Sequence, residues 1–143
     1  MTSSFLPDIN VWVALHLDAH RHHADAVEWF RSLNDADPLV FCRHTQIGLF
    51  RLLTTDAVMH GDPLTQRQCW AIYLRWIDSG RAFLHAEPAG IEAAFQLLTS
   101  ADTPSPKLWA DAYIAAFAEK AELTLVTFDR ALAEKAKGAV LLG

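Results

Sequence analysis

The sequence predicts a single three-layer α/β/α domain built on a parallel sheet. Three observations point there. Short β-like apolar runs alternate with longer helical patterns along the whole chain. Strands separated by helices imply parallel βαβ units, because parallel neighbours need a crossover to return to the same edge. The length, 143 residues, fits one domain, and 52% hydrophobic against 20% charged residues is a globular balance that needs no disulfide or structural metal.

The β-like runs lie near 4–6, 38–42, 82–86, 123–127 and 139–142, and the helical patterns near 9–18, 21–34, 44–55, 65–79, 90–101, 106–121 and 129–137. Pro7 belongs at the last position of the first strand, where a missing ladder donor matters least. Asp8 then opens the apolar helical pattern from Ile9 to Leu15. Gly61-Asp62-Pro63 marks a loop. Thr65-Gln66-Arg67-Gln68 has the form of a capping box. Ser105-Pro106 places a capping hydroxyl before a first-turn proline. Gly80 and Gly138 stand where helices should stop. Trp29, Phe30, Trp70, Tyr73 and Trp76 recur near helical spacing, which reads first as core packing and second as a surface for a partner helix or a second copy, the latter through residues 65–79.

Composition excludes several classes. A formal net charge of −5 argues against a broadly basic nucleic-acid surface, though not against a basic rim around an acidic pocket. Cys42 and Cys69 are far apart, form no CxxC and read as small buried hydrophobes. No run approaches the ~18 apolar residues of a membrane span, and the N-terminus lacks a basic, then apolar, leader. A cytoplasmic protein without membrane contact is expected.

Three aspartates carry the chemistry. Asp8 and Asp129 each follow a strand and precede a helix, which puts them on the C-terminal rim of a parallel sheet, where open α/β sheets bind ligands. Each also suits a plain helix N-cap. Asp111, five residues after Pro106 and so roughly 8 Å along its helix, lies among Leu108, Ala112, Ile114 and Ala115. A carboxylate on so apolar a surface is costly without a partner. Gln46 follows the helix start near Arg43 and can approach the same rim. Gathered carboxylates repel by about 4 kcal/mol per pair at ~4 Å and an effective dielectric of ~20, and a divalent cation reverses the sign. Asn10 and Thr127, each two residues from an acid, are placed to hydrogen-bond a carboxylate or a water.

Four segments resemble the motifs of PIN-domain nucleases, in particular the VapC toxins of bacterial toxin–antitoxin modules. They are Leu6-Pro7-Asp8-Ile9-Asn10-Val11-Trp12, Thr45-Gln46-Ile47-Gly48-Leu49-Phe50-Arg51-Leu52-Leu53-Thr54, Trp109-Ala110-Asp111-Ala112-Tyr113-Ile114-Ala115 and Leu125-Val126-Thr127-Phe128-Asp129-Arg130-Ala131-Leu132. They occur in the family's order and span nearly the whole chain. The resemblance implies a five-stranded parallel sheet and a Mg²⁺- or Mn²⁺-dependent endoribonuclease that cuts cellular RNA with a metal-activated water and is restrained by a cognate antitoxin. It implies that Asp8 and Asp111 are the principal metal ligands and that Asp129 binds the metal or its water. Many members carry Glu in the second motif where this chain has Gln46, which brings no charge and puts a second metal in doubt. Arg43, Lys107 and Arg130 are the expected RNA contacts, with Arg51 divided between RNA and a structural ion pair.

His16, His20, His22 and His23 cluster, with His16 and His20 at i, i+4 spacing. Without HExxH, and with the cluster running into an inter-helix turn, it reads as a solvated turn or a contact surface for RNA or antitoxin rather than a metal site. Two other classes share part of the pattern. An aspartate phosphatase would use Asp8 as nucleophile, but Asp8-Ile9-Asn10 breaks the paired-acid signature. A domain weakened by Gln46 would bind RNA or protein without cutting.

Overall fold

A computed structural model describes residues 3–143. Its order is β1 (Phe5–Pro7), α1 (Ile9–His16), α2 (His23–Arg31), β2 (Leu39–Phe41), α3 (Arg43–Leu53), α4 (Gln66–Asp78), β3 (Ala82–Leu84), α5 (Ile91–Leu98), α6 (Leu108–Ala121), β4 (Thr124–Thr127), α7 (Arg130–Lys135) and β5 (Val140–Leu141). The five strands are all parallel, in the order β3-β2-β1-β4-β5. The chain builds outward from β1 to β3, then returns to add β4 and β5 on the other side. The reversal in strand order therefore lies between β1 and β4, where such sheets bind ligands.

The strand period of two divides the core. Leu6, Val40 and Leu125 face one layer with Ile114, Phe117 and Leu132. Leu39 and Phe41 face the other with Trp12, Leu49, Leu53 and Tyr73. Trp12 lies flat on Phe41, centroids 3.9 Å apart, and Trp76 meets Trp12 edge-on at 5.3 Å. The aromatic series of α2 and α4 is thus largely core, as its spacing predicts, although Trp70 and Leu74 stay nearly half exposed.

Local signals explain most boundaries. The capping box at Thr65 forms: Gln68 N–H donates to the Thr65 hydroxyl at 3.1 Å, and Thr65 N–H donates to Gln68 Oε1 at 2.8 Å. Gly80 and Gly138 both take φ of +76°, which glycine adopts without strain. One boundary differs. Ser105 does not cap a helix beginning at Pro106; its carbonyl accepts from Leu108 N–H at 3.1 Å, a turn that delays α6 until Leu108. Asp111 therefore sits in the first turn of α6, nearer the sheet rim than the sequence predicts.

α1 and α3 meet without a gap at Gly48, where an added Cβ would fall onto the Ile9 side chain, within 2.7 Å of its Cγ1. Gly48→Val should therefore destabilise the domain by about 1–3 kcal/mol, read as a lower urea midpoint with an unchanged slope. An unchanged midpoint would show that α1 has slack beside Asp8.

Candidate functional site

The rim at the β1/β4 switch is built from two strand ends. Register pairs Pro7 with Val126, so Asp8 stands beside Thr127 one step on. The Asp8 N–H donates to the Val126 carbonyl at 2.8 Å. Asp8 also caps α1, its Oδ1 accepting from Ile9 N–H at 2.7 Å. Its Oδ2 accepts from the Thr127 hydroxyl at 3.0 Å, and the same hydroxyl accepts from Asp129 N–H at 3.0 Å. One buried side chain thereby bridges the two acid-bearing turns. Asp129 caps α7, its Oδ1 accepting from Ala131 and Leu132 N–H at 2.9 and 3.3 Å. Asp111, in the first turn of α6, couples to both acids through its charge.

The charges interact as their convergence requires. Burial pushes the Asp8 carboxyl above its ordinary range, opposed by its hydrogen bonds to Thr127 and Ile9 and reinforced by the charges of Asp111 and Asp129. Burial raises Asp111, and Asp129 adds to the rise against the pull of Lys107, Lys135 and His44. Burial acts upward on Asp129 too, but the Lys107 ammonium and the α7 amides outweigh it and hold that carboxyl below the usual range. Lys107 Nζ lies 3.1 Å from Asp129 Oδ2. Among the described residues, no three His, Cys, Asp or Glu side chains stand close enough to close a metal site as they are disposed. Asp8 and Asp129 each have both oxygens turned to donors, but only Asp129 has an ammonium among them, and Asp8 and Asp111 keep raised pKa values. Such an all-oxygen, anionic donor set suits a hard divalent cation.

The other expected residues divide. Gln46 is buried, and its Oε1 accepts from Arg43 Nη1 at 2.6 Å rather than joining an aspartate. Asn10 is exposed and makes no hydrogen bond to Asp8; as the second residue of α1 it is carried round the helix, and the Ile9 amide takes that place. Lys107 flanks the acids, already paired with Asp129, while Arg43 at the start of α3 is paired with Gln46. Arg130 is exposed. Arg51 forms no ion pair among the described residues and lines an apolar groove between α3 and α4 with Ile47, Phe50 and Trp70. Among the described residues the histidines do not gather into a group of three that could hold a metal. His16 is structural, its Nδ1 bonded to the Trp12 carbonyl at 2.7 Å and its Nε2 accepting from Trp76 Nε1 at 2.8 Å, and burial pushes its pKa down.

With that geometry in place, the matches to known proteins are specific. The PIN-domain family model matches residues 5–138. Ribonuclease VapC41 of Mycobacterium tuberculosis is 42% identical over 133 residues, covering 90% of this chain and 91% of that protein. The chain belongs to the PIN-domain family, in its VapC ribonuclease branch. Solved PIN-family structures share the fold. M. tuberculosis VapC20, described as a sarcin-ricin loop cleaving toxin, superposes with a TM-score of 0.64 at 17% identity over 91% of this chain and 93% of its own. VapBC-1 of nontypeable Haemophilus influenzae gives 0.62 at 17% identity over 96% of each.

The sequence left two features of the rim unseen. The stack of His22 on Phe128, centroids 4.2 Å apart and 11° from parallel, is a contact that no spacing rule announces, whereas Arg43–Gln46 is an i, i+3 pair on α3 that competes with the acids for Gln46.

Two outcomes test the electrostatics. A raised folded-state pKa means that ionising Asp8 costs the fold stability as pH rises through that value. Without divalent cations, Asp8→Asn should melt above the wild type at pH 7, and the gap should close toward pH 4. A lower midpoint for the variant at pH 7 would contradict a strained carboxylate. Thr127→Val should lower stability by about 1–3 kcal/mol, because it strips a buried acceptor and donor at once; denaturant unfolding reads this directly.

Proposed function

We propose that this protein is a divalent-cation-dependent endoribonuclease, using Mg²⁺ or Mn²⁺, and the toxin of a toxin–antitoxin pair. The observation that carries this reading is the gathering of Asp8, Asp111 and Asp129 around the β1/β4 switch in a VapC-family chain. Asp8, Asp111 and Asp129 would hold the cation. A bound cation supplies positive charge at the scissile phosphate and makes a nearby water more acidic. Thr127 keeps Asp8 and the Asp129 turn in register. With a cation held there, Asp129 would no longer need its Lys107 contact, and the Lys107 ammonium would be available to a phosphate. Arg43 and Arg130 extend that basic rim, while Gln46 orients Arg43 rather than adding a fourth negative charge. Single-stranded or loop RNA is the favoured substrate, because its bases are not locked in a duplex.

The restraining partner is an antitoxin of the kind present in the VapBC complexes of H. influenzae and Rickettsia felis. Exposed Ile47 and Trp70 beside the α3/α4 groove support a docking face for an apolar helix.

Incubation with labelled RNA tests the reading. Cleavage should require Mg²⁺ or Mn²⁺, stop with EDTA, and fall at least roughly 100-fold in Asp8→Asn and Asp111→Asn, the scale of losing one charge-stabilising group. Hydrolysis by water leaves 5′-phosphate and 3′-hydroxyl ends. Ends bearing a 2′,3′-cyclic phosphate, or cleavage that survives EDTA, would overturn it.

A further inference from the structure

We propose that the turn between α1 and α2 forms a nucleotide subsite beside the acid cluster, in which Arg21 grips the RNA phosphate neighbouring the one that is cut. The proposal rests on the ribonuclease reading above and extends it to the His20-Arg21-His22 turn, which lies outside the four motifs. A cleft of about 280 Å³ opens next to Asp129, lined by Asn10, His20, Arg21, His22 and Phe128. One wall is therefore a catalytic-rim acid, and the opposite wall is a cationic and imidazole-bearing turn.

The turn is built to present its arginine. Arg21 Nε donates to His22 Nε2 at 3.0 Å. His22 in turn lies flat on Phe128, the residue immediately before Asp129. The His22 N–H donates to His20 Nδ1 at 3.0 Å, which fixes the second imidazole and leaves its Nε2 as the free polar atom. The guanidinium is thus anchored through one nitrogen, and its two terminal nitrogens keep the fork that matches a phosphate. Among the described residues no carboxylate lies within ion-pair distance of Arg21, whereas Lys107 is held by Asp129 and Arg43 by Gln46. An exposed, unpaired and oriented cation at the edge of an anionic pocket is what a polyanion crossing that pocket requires. Pre-anchoring also reduces the entropy lost when the phosphate arrives. Asn10, exposed on the same cleft, offers an amide to the sugar or base of that nucleotide.

The test is fluorescence anisotropy with a 5′-fluorescein single-stranded oligoribonucleotide, in EDTA to prevent cleavage, across a salt series. Arg21→Ala should weaken binding roughly tenfold, the size of one charge-assisted hydrogen bond, and lower the slope of log affinity against log salt by about 0.7, the value of one single-strand phosphate contact. Arg21→Lys should keep most of the slope and recover only part of the affinity. Thermal midpoints should match the wild type, because the side chain is exposed. Arg21→Ala binding with wild-type affinity and slope would overturn the subsite, and if the wild type still cleaves RNA the ribonuclease reading survives that loss. A wild type that neither binds nor cleaves RNA would remove both.

Discussion

The Thr127 hydroxyl donates to Asp8 and accepts from the Asp129 amide, and these two bonds hold together the strand ends on which the site depends. Neither acid would choose the other's company. Each is a carboxylate on a helix N-terminus, stabilised locally by amides and the helix dipole. Sheet pairing of β1 with β4 brings them close, and a buried hydroxyl bonded to both turns sets their spacing. Capping and cation binding are compatible uses of the same side chains, since a carboxylate has more acceptor sites than a cap consumes.

Close packing behind the rim keeps the acids from relaxing apart. α1 is clamped by the approach of Gly48 to Ile9 on one side and by the Trp12–Phe41 stack on another. His16 and Trp76 tie the far end of α1 to α4. The fold spends stability on holding Asp8 and Asp111 where their charged forms are disfavoured, a trade often found at functional sites. Lys107 and the α7 amides bring only Asp129 below the ordinary carboxylate range, although Lys107 also pulls on Asp111.

Much of this was legible in the sequence because it follows from periodicity and chain order. Each strand and helix core lies within its expected run, and Asp8 and Asp129 were bound to reach the rim once β1 and β4 became neighbours. The exceptions have a common physical cause. Whether Pro106 starts α6 depends on a turn hydrogen bond from Leu108 to the Ser105 carbonyl, which competes with the capping hydroxyl. Gln46 turns to Arg43, three residues away on its own helix, rather than to an acid. His16 is a core residue because Trp76, sixty positions on, supplies its partner. His22 meets Phe128 only through tertiary folding. Each is a choice among competing partners, local for Ser105 and Gln46 and across the chain for His16 and His22, which residue type and spacing alone do not settle.

The ribonuclease we propose depends on one cation shared by Asp8, Asp111 and Asp129. Calorimetric titration of Mn²⁺ into the wild type and into Asp111→Asn measures that sharing most directly. Saturable binding in the wild type, weakened at least roughly tenfold in the variant, is expected from the loss of one charged ligand. Equal binding curves for the two proteins would contradict it.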